Sequence, residues 1–89
     1  MSKASRNRPA ADIAAIVEYH LGRAIEIFGS ERALALRIGI SQQNMNRIVR
    51  KGQVSPQVAI GIHRETQGKV TGNQLRPDLW RRPSHVPVS

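Results

Sequence analysis

Between positions 41 and 53 the chain reads SQQNMNRIVRKGQ, and its charged and amide side chains are carboxamides and cations only. Read as a helix, this segment sets Gln43 and Arg47 one turn apart, as it does Gln42 and Asn46, with Arg50 and Lys51 following. A carboxamide can pair with adenine N6 and N7, and a guanidinium can pair with guanine O6 and N7. Ser41 and Gln53, at the two ends of the segment, and Ser55, just beyond it, could donate to phosphate oxygens. A merely solvated helix would mix in Glu and Asp. The chemistry on offer is non-covalent recognition of a polyanion that presents hydrogen-bonding edges.

Bond-making chemistry has no comparable signature. His20, His63 and His85 lie far apart, with no acids at ligand spacing, so no metal site is expected. The chain has no cysteine, which removes disulfides, thiolate ligands and a cysteine nucleophile. No serine, histidine and acid pattern, no paired carboxylates and no glycine-rich phosphate loop stand out. The expectation is a non-enzyme that needs no cofactor.

The balance of charge agrees. The 89 residues carry 14 basic and 6 acidic side chains, a net charge of +8, and eleven of the bases are arginine. Such a surplus favours polyanionic partners, and arginine's fixed donor fork suits phosphates and base edges. The alternative is plain solubility or a dimer with a basic flank. The N-terminus, MSKASRNRPAAD, is too polar for a secretory signal, and no apolar run could span a bilayer. A cytoplasmic protein, nucleoid-associated when bound and with no membrane partner, is expected.

Four helices and a short fifth turn must position these residues. Residues 1–9 read as a disordered basic arm carrying Lys3, Arg6 and Arg8. These cations could reach a minor groove or a phosphate, or the arm could simply solubilise the chain. Ile13, Val17, Leu21, Ile25 and Phe28 form an apolar stripe on a first helix over 10–28, with Gly22 a weak point and Gly29 a C-cap. Ser30 caps a second helix over 31–38, and Ser41 caps a third over 42–50 with Met45, Ile48 and Val49 inward. Ser55 and Pro56 start a fourth helix that buries Val58, Ala59, Ile62 and Thr66 and stops at Gly68. Thr71 caps one more turn through Leu75. Trp80 is expected to pack back on the core with Leu75 and Leu79, or to serve a dimer contact. The domain runs over 10–80, and 81–89 form an irregular tail.

The pair over 31–50 meets the steric needs of a helix-turn-helix. The first helix needs a small residue where the second crosses it, and Ala35 stands there. The turn needs positive φ, which Gly39 adopts without strain. Ile40 plugs the hinge, and Met45 and Ile48 anchor the second helix. The expected fold is all-α, a compact four-to-five-helix domain around a central helix-turn-helix.

With those residues in place, the chain resembles the lambda-repressor-like, Cro/C1-type superfamily, and more closely the YdaS-like group of Cro-like proteins described as antitoxins or prophage repressors. The likeness runs from Leu21 to Trp80, through IFGS, ERALALRIGIS, QQNMNRIVRKG, VSPQVAIGIHRETQGKVT and finally NQLRPDLW, its most specific piece. The resemblance implies a lambda-repressor-like fold and a repressor on double-stranded operator DNA, often a homodimer. It places Gln42, Gln43 and Arg47 at base-reading positions and Ser41 at the start of the recognition helix. The chain departs from the pattern in an extended first helix, AADIAAIVEY, and in Ile48, where an aromatic is usual.

That extension keeps a second class of function open. Ala11, Ala14, Ala15 and Ile16 suggest an apolar outer face that could hold a protein partner, such as a toxin or RNA polymerase. A nonspecific architectural DNA binder is a third possibility. RNA is a weaker rival, because stacking aromatics are few.

Overall fold

The computed structural model describes residues 9–88, with side chains from residue 13 onward. Five α-helices and one 3-10 turn make up its regular structure, and no strand occurs among the described residues. Helix α1 spans Pro9–Phe28, α2 Glu31–Ile38, α3 Gln42–Lys51, α4 Pro56–Glu65 and α5 Gly72–Leu75, and the 3-10 turn is Pro83–His85. Lys3, Arg6 and Arg8 of the basic arm lie outside the described residues.

Serine hydroxyls start the three central helices. Ser30 Oγ accepts the Ala33 amide at 3.0 Å, Ser41 Oγ that of Asn44 at 3.0 Å, and Ser55 Oγ that of Val58 at 3.2 Å. Each cap satisfies an amide that has no partner within its helix. Gly39 and Gly52 end α2 and α3 at φ 79° and 64°, the left-handed region where a Cβ would be strained.

One core joins the helices. Val17, Leu21 and Ala24 of α1 meet Leu34 and Ala35 of α2, Met45 and Ile48 of α3, and Val58, Ala59 and Ile62 of α4. Val54, Val70 and Leu75 complete it from the connections and α5. Helix α1 is unbroken through Gly22, and its stripe is buried in the middle but not at the start. Ile13 is 46% exposed, because the first turns of this 20-residue helix run past the core.

Two other expectations need adjustment. Helix α4 stops at Glu65 rather than at Gly68. The Thr66 hydroxyl donates to Ile62 O at 2.7 Å and accepts the Val70 amide at 3.1 Å, while Gln67 takes φ 56°. That side-chain hydrogen bonding turns the backbone out of the helix. Trp80 packs against the core as expected, but Leu79 is 44% exposed and takes no part. Beyond residue 80 the chain stays attached: Val86 is buried, and a Cβ on Gly72 would meet its Cγ1 at 2.8 Å.

Candidate nucleic-acid interface

The helix-turn-helix geometry is built as its steric needs require. Ala35 is buried, and its carbonyl accepts the amides of Gly39 at 2.9 Å and Ile40 at 3.0 Å, which closes the turn. Ile40 packs half-buried against the core, and Met45 and Ile48 are buried beneath α3. Helices α2 and α3 pack directly on each other. The three anchors under α2 and α3 fix which face of α3 turns outward.

That outward face carries Gln42, Gln43, Asn46, Arg47 and Arg50, all exposed, with Lys51 exposed at the helix end. Ser41, Gln53 and Ser55 are exposed at its two borders. The structure thus brings nine candidate contact residues onto α3 and the segments that flank it. The Ser41 and Ser55 oxygens already accept cap bonds, so each would meet a phosphate through its hydroxyl proton. No acid lies in the first turn of α3, and Arg50 and Lys51 occupy its last turn, where cations suit the helix dipole.

Two acids outside α3 are each held by arginine. Glu65 pairs with Arg37 at 3.1 Å and Arg64 at 3.3 Å, and those hydrogen bonds hold its carboxyl below the usual carboxylate range. Arg76 does the same to Asp78 at 2.7 Å. Among the described residues, no carboxylate pairs with Arg47, Arg50 or Lys51.

Two residues that matter for the face are hard to find from sequence. Asn44 Oδ1 accepts from Arg47 Nη2 at 2.9 Å and so holds that guanidinium at the edge of α3. The three-residue spacing on a helix is the available signal. Arg76 Nη1 donates to Val54 O at 3.1 Å, across 22 residues, and anchors the loop that carries Gln53 and Ser55. Its pairing with Asp78 is local, but nothing in sequence announces the reach to Val54.

A family model described as "Bacterial toxin YdaS" matches residues 21–83, most of the chain. The chain belongs to the YdaS family. The match begins inside α1 and takes in α2 through α5, so it covers the helix-turn-helix and leaves the first turns of α1 outside. Membership gives the chain a regulatory role exercised by binding, to DNA or to a partner. No curated protein and no solved structure matches the chain significantly. Among the described residues, no helix is long and apolar enough to cross a membrane.

Proposed function

We propose that the chain is a sequence-specific DNA-binding regulator, and a non-enzyme, that reads a major groove with α3. The observation that carries this reading is the outward face of α3. Three amides and two arginines stand on one helix, fixed by Ala35, Met45 and Ile48, with no acid among them. Gln42, Gln43, Asn46 and Arg47 contact bases, since the first half of a recognition helix enters the groove. Ser41, Arg50, Lys51, Gln53 and Ser55 contact phosphate and set the register. A homodimer would present two such helices to a two-fold symmetric operator, about 34 Å apart. Occupying a promoter there represses it.

A second reading is favoured by α1. Ile13, Ile16 and Tyr19 are 46%, 52% and 66% exposed, Ile13 ahead of the core and Ile16 and Tyr19 on the side of α1 turned away from it. That apolar surface suits a protein partner, and partner binding can accompany DNA binding. The toxicity in the family's description fits either route: a promoter wrongly occupied, or a host protein held.

Selection of bound duplexes from a random-sequence pool tests the first reading. Recovery of one two-fold symmetric site supports it. Uniform recovery across the pool would leave α3 as a generic basic surface.

A further inference from the structure

Beside α3 lies a groove of about 940 Å³, bounded by α1, α3, the loop over 52–55, α4 and residues 75–78. Its floor is mostly apolar, formed by Val17, Ile48, Val54 and Val58, with the half-exposed Ile13 at its mouth. Its rim is cationic and holds Arg47, Lys51 and Arg76. Asp78, the acid among the described lining residues, is already held by Arg76 at 2.7 Å, and Asn44 holds Arg47 there at 2.9 Å. The groove therefore shares two cations with the face that reads DNA.

We propose that this groove binds an acidic, amphipathic segment of a partner protein, and that the segment and DNA exclude one another. Charge decides the occupant. An apolar floor alone would take any hydrophobic segment, but two cations that pair with no carboxylate among the described residues select acids flanking the apolar residues. An open groove of this kind suits a helix laid along it better than a small ligand, which needs most of its surface enclosed. Exclusion follows from the shared edge of α3: Arg47 and Lys51 line the groove and also flank the face offered to DNA, so a segment seated there occupies the surface along which a duplex would lie. The claim of exclusion rests on the DNA-reading role of α3; the claim of binding does not.

The test displays random 16-residue peptides, pans them against the full-length chain, and sequences the bound ones. Two surface variants accompany it: Ile13→Gln at the groove mouth, and Leu36→Gln, an exposed apolar residue of α2 outside the lining. The selected peptides should carry apolar residues at helical spacing flanked by Asp and Glu. They should lose about tenfold in affinity on Ile13→Gln, remain within about twofold on Leu36→Gln, and displace a duplex bound to the wild-type chain. Neutral or basic peptides, equal binding to Ile13→Gln, or no enrichment over panning against Ile13→Gln would overturn the groove assignment. Acidic peptides that bind the DNA complex as well as the free chain would overturn exclusion alone. If the chain binds no duplex, the DNA-reading role fails while the peptide data still decide the groove.

Discussion

Gly52 sits against Ala14, so close that a Cβ on Gly52 would lie 2.9 Å from the Ala14 carbonyl oxygen. The first turns of α1 thus press on the end of α3, at the cap that terminates the candidate recognition helix. Gly52 also has φ 64°, which other residues adopt only under strain. Gly52→Ala should therefore cost about 1–2 kcal/mol for the backbone conformation, with the clash added. At roughly 4–8 °C per kcal/mol, the backbone cost alone lowers Tm by about 4–16 °C, and the clash lowers it further, as read by calorimetry. A fall no larger than the backbone cost alone would show that α1 does not bear on Gly52.

Thr66 offers a test of the core hydrogen bonding. Its hydroxyl is the acceptor for the buried Val70 amide at 3.1 Å. Thr66→Val keeps the shape and removes the acceptor, so denaturant unfolding should show a loss of about 1–3 kcal/mol. Ile62 O keeps its bond from the Thr66 backbone amide at 2.9 Å, so the cost belongs to Val70.

The C-terminal segment is tied down by Gly72, Trp80 and Val86. Gly72→Ala would place a Cβ 2.8 Å from Val86 Cγ1 and 3.4 Å from Trp80. Val86 would have to move, and the single tryptophan reports on it. A red shift in its fluorescence with about 1–3 kcal/mol of destabilisation is expected, the usual cost of overpacking.

The Asp78 carboxyl is held low, first by the hydrogen bonds from Arg76. A depressed carboxylate stabilises the fold above its unfolded value, near 3.9, and the benefit disappears as pH falls through the lower folded value. Stability should be flat from about pH 5 to 8 on this account and decline below about pH 4. The Asp78 side chain is 61% exposed, so Asp78→Asn should cost at most about 1 kcal/mol at pH 7 and remove part of the acid decline. A loss far above that would mean the pair supports the 52–55 loop through Arg76 and Val54 O.

Much of the fold was legible because its signals are local. Ser30, Ser41 and Ser55 announce helix starts through capping chemistry, and Gly39 and Gly52 announce ends through φ. The spacing of Ala35, Gly39, Met45 and Ile48 identified the helix pair, and the structure places each where that motif needs it. What escaped depends on distant contacts. Ile13 matches the apolar period of α1, but periodicity cannot say where the core ends. Val54 and Val70 are single valines in connections, with no pattern to mark them as buried. The Arg76 bond to Val54 O and the docking of Val86 on Gly72 join segments that only the folded chain brings together.

The most direct test of base reading by α3 compares Arg47→Ala with Lys51→Ala. Each variant would be titrated against a duplex recovered by selection and against its single-base variants. The account predicts that Arg47→Ala loses about 1–3 kcal/mol on the recovered site and becomes indifferent to one base position. Lys51→Ala should weaken binding to every duplex alike and flatten the salt dependence by about one unit of slope. Equal, sequence-independent losses from both substitutions would contradict base reading and leave α3 as a phosphate-binding surface.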